Sequence, residues 1–510
     1  MAPQPINLEP YKGEIINLFQ TGSYTNSIAL YLARKYDIKV SIRTIKARLK
    51  NWGIARNFSQ GKDPALHARI KVLMYHAGLG EADILKVLRS EGYGIQARTL
   101  RYIRTKLGML NWTWNPVRDQ EQVNAVMETL RTELATGQID GYGQGMLATH
   151  FRSQGLLIGR DRLFSMYKQL VPEAVQTSLH DLQRHRGTYI VPGPNFIWSI
   201  DGYLKLAPYG IEIYAAIDAY SRYIIWVYVG VSSRTAVSVL KQFLDTLKVT
   251  SRQPRFVRSD RGREPVLLAK AQHKLQQSYH SDISIKDCYL YGTSTANQRI
   301  EAWWDQLTRG LLFRYQAYFK ALVQEGHFSN DALADQIAFY AIYMPIISIQ
   351  ITSFVRSWNN HSIRKQRNRP HIVTGKPFIN YHCPEAGVQD HGIKFDPDLF
   401  KCLQEHVQAW DPNECLPAET YAWTRTKLLE LDFGPEHPPQ SAGGDTDHSF
   451  IPFRTIYLTL RAKVKSHIKS GHQPELKLSK RPTGPFDWDP QHVLDGIEEV
   501  EYNGEPDEKS

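Results

Sequence analysis

Between residues 196 and 313, the spacing of apolar positions switches repeatedly between the two-residue repeat of a strand and the repeat of a helix. Phe196, Trp198 and Ile200 share one face of a predicted strand over 196–206. Further strands are predicted over 212–217, 222–229, 254–260 and 283–290, with helices after the third, fourth and fifth strands. The order β-β-β-α-β-α-β-α predicts an α/β domain with a mixed five-stranded sheet.

Three acidic residues are placed where such a domain could gather them. Asp201 lies near the end of the first strand, Asp260 closes the fourth strand, and Glu301 lies in a helix predicted over 296–313. Three carboxylates in this arrangement suit two divalent cations that activate a nucleophilic oxygen and stabilise the leaving oxygen of a phosphodiester. The alternative is that the aspartates belong to ordinary turns and that Glu301 pairs with Arg299 or Arg309 on the surface.

Four tracts carry a resemblance to a known family. They are, in order, WSID (198–201), IDAYSR (217–222), SDRGRE (259–264) and NQRIE (297–301). With them the chain resembles the integrase core of retroviruses, retrotransposons and cut-and-paste transposons, and it is most similar in look to integrase-core proteins of fungal genomes. The resemblance implies a ribonuclease H-like fold and two Mg²⁺ or Mn²⁺ ions held by Asp201, Asp260 and Glu301. It also leads us to expect DNA contacts from Arg261 and Asn297.

An internal repeat precedes this region. Residues 40–53 and 95–108 match at an offset of 55, and a weaker third copy covers 158–170. The aligned pairs are Arg43 and Arg98, Thr44 and Thr99, Ile45 and Leu100, and Gly53 and Gly108. Each copy follows an apolar helical segment, so the first two copies predict helix-turn-helix units, in which the second helix would enter the major groove of DNA. The weaker third copy predicts a further helical unit.

Charge favours a DNA-binding role for these units over a plain helical bundle. Residues 1–190 hold 26 basic and 15 acidic residues, and therefore all of the net charge of +11. Four arginines of the repeat would be available to phosphates or guanines, namely Arg43, Arg48, Arg98 and Arg101. The first copy also resembles DNA-binding modules fused to fungal integrase-core proteins.

The region after the core predicts helices and a basic tract. Residues 331–355 are strongly apolar but are interrupted by Pro345, so we expect buried helices rather than a membrane span. Arg364, Lys365 and Arg367 lie in a tract suited to gripping the DNA backbone, although a solvated basic loop is equally open. Residues 451–470 predict an added helix or strand.

These patterns predict five regions in the chain. They are two helix-turn-helix-like DNA-binding units (1–115), a third helical unit and linker (116–190), a ribonuclease H-like catalytic core (191–320), a helical and basic extension (321–433), and a linker with a small appended element and an acidic tail (434–510).

The sequence thus predicts metal-dependent DNA strand transfer or endonucleolytic cleavage by a protein of mobile-element origin. The alternatives are a domesticated DNA-binding regulator that keeps the fold without cutting, and a nuclease for RNA–DNA hybrids. Four cysteines without a CxxC pair, and an N-terminus without a signal-peptide pattern, predict a reducing, intracellular setting and, given the DNA partner, the nucleus. Relatives act as multimers, so the resemblance also implies a homo-oligomer on DNA, and no membrane partner is expected.

Overall fold

The N-terminal part of the protein is helical. The computed structural model describes residues 7–20, 25–54, 63–109, 116–139, 141–171, 191–260, 264–292, 297–365, 372–408, 410–434 and 451–479. Its N-terminal helices are α1 (Lys12–Gln20), α2 (Thr25–Tyr36), α3 (Ile42–Asn51), α4 (Pro64–Lys71), α5 (Glu81–Ser90), α6 (Ala97–Lys106), α7 (Pro116–Thr136), α8 (Gln144–Ser153) and α9 (Arg160–Leu170).

The predicted internal repeat is present as a repeat of structure. The pairs α2–α3, α5–α6 and α8–α9 each place a left-handed residue directly after the first helix or one residue later, at Asp37 (φ 54°), Gly92 (φ 89°) and Gly155 (φ 86°). A left-handed residue ends a helix and turns the chain. The second helices of the first two pairs also end alike, because Gly53 and Gly108 both have φ 71°.

The first two repeat units have separate apolar cores. Ile28 and Leu32 of α2 pack on Ile45 and Leu49 of α3, within a cluster confined to residues 8–54. The core of the second unit, between α4 and α6, also takes in Leu157 and residues of the C-terminal region. The second unit is therefore packed against other parts of the chain.

The region from residue 191 to residue 320 contains the predicted mixed sheet. Its strands are β1 (Ile197–Tyr203), β2 (Glu212–Asp218), β3 (Ile224–Gly230), β4 (Phe256–Ser259) and β5 (Tyr289–Tyr291), with α10 (Ala236–Thr250), α11 (Val266–Gln277) and α12 (Gln298–Leu307) between and after them. The order across the sheet is β3-β2-β1-β4-β5. The first three strands pair antiparallel, whereas β4 pairs parallel with β1 and with β5. The ribonuclease H-like α/β prediction is confirmed.

The fifth strand is shorter than predicted. Residues 283–288 were expected to be extended, but Ile285–Asp287 form a 3₁₀ turn. Ser284 and Asp287 form a capping box. The Ser284 hydroxyl accepts a hydrogen bond from the Asp287 backbone N–H, and the Asp287 carboxylate accepts one from the Ser284 backbone N–H. This local pairing competes with extension of the strand, which the apolar spacing alone does not reveal.

Alternate residues of the strands face two different helical layers. Trp198 and Ile200 pack towards α10 and α11, whereas Tyr203 and Ile213 belong to the core shared with α12. Because side chains alternate along a strand, Asp201 lies on the same face as Tyr203. This alternation directs the first acidic residue towards the helix that carries Glu301.

The C-terminal part is built around one long helix. Its helices are α13 (Phe313–Gln324), α14 (Leu333–Asn360), α15 (Pro377–His382), α16 (Pro397–Val407), α17 (Ala418–Leu429) and α18 (Ile451–Ser470). The apolar segment predicted to form buried helices is a single helix, since α14 runs through Pro345. A proline inside a helix costs a hydrogen bond, and the dense packing around Tyr343, Ile346 and Ile347 offsets that cost.

Helix α14 is a core helix of the fold. By length and composition it could cross a membrane, but 67% of its most apolar window is buried inside the protein. It packs against β3, α8, α17 and α18. The prediction of a buried apolar segment is therefore confirmed.

A buried ion pair fixes α18 to α14. The Asp335 side chain is 1% exposed; it accepts hydrogen bonds from Arg461 Nε at 2.6 Å and Arg461 Nη2 at 2.8 Å. Lys465 Nζ lies 3.2 Å from Asp335 Oδ1. The predicted helix or strand over 451–470 is thus a helix held by charge as well as by apolar contacts.

Removing the main partner of this carboxylate should be costly. We expect Arg461→Met to lower the free energy of unfolding by about 3 kcal/mol, because a buried charge loses its bidentate partner. Chemical denaturation monitored by circular dichroism measures the change. Lys463→Met on the same helix is the control, because Lys463 pairs with the exposed Glu430. Equal effects of the two substitutions would contradict the assignment.

Candidate active site

Asp201 and Asp260 lie at the same end of two neighbouring parallel strands. In the β1–β4 ladder, Ser199 pairs with Arg258. Asp201 follows Ser199 by two residues, and Asp260 follows Arg258 by two residues. Neighbouring strands are about 4.8 Å apart, and residues two apart face the same side of a sheet. The two carboxylates therefore lie side by side at the carboxyl edge of the sheet.

Helix α12 brings Glu301 to this edge. Asn297, directly before the helix, donates a hydrogen bond from Nδ2 to the Ile200 carbonyl oxygen at 2.9 Å. Trp304 donates from Nε1 to Asp201 Oδ2 at 2.8 Å. Glu301 lies in the first turn, between these two anchors. The start of α12 is thus fixed to β1 at the residue before Asp201 and at Asp201 itself.

The three acidic residues share one electrostatic environment. Burial, together with the charges of Asp260 and Glu301, raises the pKa of Asp201 to about 7 against the opposing hydrogen bond from Trp304. Burial, followed by the charge of Glu264, also raises the pKa of Asp260. Raised carboxyl pKa values in a cluster indicate a site that favours protons or cations.

The chemistry of these donors suits a hard cation, although the side chains do not close around one. Within the described part of the chain, no three His, Cys, Asp or Glu side chains are close enough together to hold a metal ion. Carboxylate oxygens are nevertheless the ligands that Mg²⁺ and Mn²⁺ prefer. The mutual repulsion that raises the pKa of Asp201 is a force that a divalent cation would remove.

Asp218 of the second tract has a structural role in the hairpin. Its carboxylate accepts hydrogen bonds from the backbone of Asn195 at 2.8 Å and from the Ser221 backbone and hydroxyl at 2.8 and 2.6 Å. Arg222 adopts φ 61° in the same turn. Burial raises the pKa of Asp218 to about 6 despite these bonds. Asp218 therefore shapes the hairpin between β2 and β3.

Two residues of the site carried no functional prediction. Trp304 is a buried residue of the apolar core, and its indole N–H also holds the Asp201 carboxylate. Glu264 adds a fourth acidic side chain beside Asp260 and lies 3.5 Å from Arg234 Nε. In the sequence, Trp304 could have been recognised by its position one helical turn after Glu301. Glu264 could have been recognised as the acidic end of the SDRGRE tract.

The predicted DNA-contact residues have different environments. Arg43, Arg98, Arg364 and Lys365 are exposed, and Arg48 is half-buried. Arg101 is exposed but pairs with Glu81 at 2.8 Å. Asn297 is 1% exposed, so its side chain serves the anchoring of α12. Arg261 and Arg367 lie outside the described residues.

Comparison with known proteins agrees with this arrangement. Residues 188–378 match a family model described as an integrase core domain, and residues 4–56 match a Clr5 domain. No curated protein matches the chain. Among solved structures, an intasome of simian T-cell lymphotropic virus in complex with PP2A regulatory subunit B56 gamma is similar at 12% identity, over 45% of this chain and 68% of that one, with a TM-score of 0.24. The family match and the sheet topology together show that the chain contains an integrase core domain, at residues 188–378.

Proposed function

We propose that this protein is a metal-dependent DNA strand transferase or endonuclease whose metal ligands are Asp201, Asp260 and Glu301. The observation that carries the proposal is the placement of two carboxylates on adjacent parallel strands, with a third on a helix anchored to the first. The coupled charges of the three residues support it. This arrangement places three acidic residues at the same edge of the sheet.

The residues of the chain would divide the work as follows. Two Mg²⁺ or Mn²⁺ ions, when bound, would supply activation of the attacking oxygen and stabilisation of the leaving oxygen. Trp304 would fix the orientation of the Asp201 carboxylate through Oδ2. Asn297 would keep the first turn of α12, and with it Glu301, against β1. Catalysis would then depend on positioning and on charge neutralisation rather than on a covalent intermediate.

DNA would be held by residues outside the acidic site. Candidates are Arg43, Arg48, Arg98 and Arg101 of the helix-turn-helix units, Arg261 of the core motifs, and Arg364, Lys365 and Arg367 of the basic tract. Asn297, predicted with them, is not a candidate because its buried side chain anchors α12. The same proposal includes the five predicted regions and assembly as a homo-oligomer on DNA. It also includes a nuclear location and an origin in a mobile element. The basic residues of α3 in the first unit support DNA contact near the N-terminus.

The test is nicking or joining of supercoiled plasmid by the full-length protein with Mg²⁺ or Mn²⁺. We expect activity that EDTA abolishes and that Asp260→Asn reduces on the order of a thousandfold, since a lost metal ligand removes several kcal/mol of transition-state stabilisation. Asp245→Asn is the matched control, because this exposed residue of α10 pairs only with a neighbouring lysine among the described residues. Equal activity of Asp260→Asn and wild type would refute the metal-site assignment.

A second candidate function is that of a DNA-binding regulator that keeps the integrase fold without cutting. One observation favours it: Asp201 Oδ2 already has a hydrogen-bond donor in Trp304, and a pKa of about 7 allows the carboxyl group to be neutral without a cation. Normal DNA binding without nicking by the wild type, in both metals, would support this candidate over the enzyme.

A further inference from the structure

The three repeat units share one backbone design but differ at an equivalent position. Their second helices, α3, α6 and α9, begin at residues 42, 97 and 160. The second residue of each helix is Arg43, Arg98 and Asp161, respectively. In a helix-turn-helix, N-terminal residues of the second helix face the DNA. The third unit therefore presents an acidic residue where the first two present arginine.

The second helices of the first two units have exposed cations. Within the described residues, Arg43, Lys46 and Lys50 of α3 are exposed and have no ion-pair partner. On α6, Arg98 and Lys106 are also exposed, and neither has an ion-pair partner among the described residues. Such cations are free to neutralise phosphates.

An exposed aromatic side chain lies on the same helix as the unpaired cations of the second unit. Tyr102 is 63% exposed and follows Arg98 by one helical turn. Glu81 pairs with Arg101 and Arg104, and so neutralises one side of α6 only. The remaining surface, formed by Arg98, Tyr102 and Lys106, combines positive charge with an apolar contact group, as a surface that meets base edges and phosphates requires.

The charged residues at the start of α9 pair with other residues of the protein. Arg162 makes a bidentate pair with Asp119 of α7, at 3.0 and 3.1 Å. Asp161 accepts hydrogen bonds from Gln144 Nε2 at 2.8 Å and from its neighbour Arg160. An acidic residue in the first turn stabilises the helix but repels a DNA backbone. The start of α9 is therefore unsuited to DNA.

The third unit is instead packed onto the catalytic core. Leu163 and Tyr167 of α9 belong to the same apolar cluster as residues of α12 and α14. His150 of α8 is 1% exposed, lies 2.7 Å from Glu133 Oε2, and has the Ser357 hydroxyl of α14 3.5 Å from Nδ1. A buried polar contact between α8 and α14 fixes their relative position, because its groups would be costly to separate.

From this contrast we infer that α6 is a second DNA-contacting helix, in tandem with α3, and that the third unit is a brace that joins the N-terminal arm to the core. The duplex would then be held at two separate segments, through Arg43 of the first unit and Arg98 of the second. The inference rests on the proposed DNA partner but not on the proposed cleavage activity. It deepens the proposal by assigning different roles to three copies of one motif.

The test is fluorescence anisotropy of a labelled 40-base-pair duplex of random sequence, titrated with the full-length protein at several salt concentrations. We expect Arg43→Ala and Arg98→Ala each to weaken binding and to reduce the slope of log Kd against log salt by about 0.9, the value for one lost phosphate contact. The double variant should lose about twice as much. Arg160→Ala, at the first position of α9, is the matched control and should bind as the wild type does. Circular dichroism verifies that each variant is folded.

Each contrary outcome has a distinct meaning. An unchanged salt slope in Arg98→Ala, beside a reduced slope in Arg43→Ala, would overturn the role of α6. A loss in Arg160→Ala equal to that in Arg98→Ala would overturn the role of the third unit as a brace. Equal affinity for an RNA duplex, with the same sensitivity to Arg98→Ala, would overturn duplex DNA as the partner. Absence of nicking would refute only the proposed catalysis, since this assay does not depend on cleavage.

Discussion

Asp201→Asn should stabilise the metal-free protein at pH 8 while it abolishes metal-dependent nicking. Burial and the charges of Asp260 and Glu301 raise the pKa of Asp201 from 3.8 to about 7. The folded protein therefore holds a proton that the unfolded chain releases between these two values, and folding stability falls as pH rises through that window. Above pH 7 the ionised carboxylate destabilises the fold by up to a few kcal/mol, at roughly 1.4 kcal/mol per pKa unit. An amide does not carry this cost.

Thermal unfolding in EDTA at pH 8 and pH 5 measures the stability effect. The advantage of Asp201→Asn should be largest at pH 8 and should shrink as the pH falls towards 3.8, below which the wild-type carboxyl group is protonated in both states. Plasmid nicking should fall on the order of a thousandfold because a proposed metal ligand is lost. The exposed-site variant Asp245→Asn should change neither quantity. Equal destabilisation by Asp201→Asn at both pH values would show that the carboxylate is a structural hydrogen-bond acceptor and not a strained acidic ligand.

Gly141→Ala should destabilise the junction between the helical arm and the catalytic core by about 3 kcal/mol. A Cβ at Gly141 would stand 2.5 Å from the Arg309 carbonyl oxygen and would also meet the Cα atom of Gly310. Both are backbone atoms of a π-helical turn, Thr308–Leu312, which directly continues α12. Backbone cannot rotate away as a side chain can, so the two segments must separate or distort, as overpacked interiors do.

The effect should reach the active site as well as overall stability. Displacement of the π-helical turn would shift α12 and, with it, Glu301 and Trp304 relative to Asp201. We therefore expect both a lower unfolding midpoint and reduced nicking. Gly143→Ala is the matched control, because a Cβ at Gly143 meets nothing within 4 Å. If Gly141→Ala unfolds at the wild-type midpoint, the close contact between the two backbones does not contribute to the stability of the junction.

Much of the fold follows from local patterns. Apolar alternation and helical spacing specify the order of the five strands and the helices after them, because a strand or an amphipathic helix must bury one face wherever it lies. The helix-turn-helix repeat is equally local, since the same turns and apolar positions recur around Arg43 in the first copy and around Arg98 in the second. The short acidic tracts identify Asp201, Asp260 and Glu301 as a candidate site, because each sits beside a predicted element end or helix start.

Other features depend on contacts between segments that are distant in the chain. Trp304 looks like a core residue until α12 packs against β1 and its indole N–H meets Asp201. Arg101 looks equivalent to Arg98 until α5 places Glu81 beside it. Helix α14 continues through Pro345 because packing on several neighbouring elements offsets a lost hydrogen bond. Periodicity and short motifs in the sequence reflect the local requirements of each segment. The partner, charge state and orientation of a side chain depend on the residues that the fold brings within a few ångströms of it.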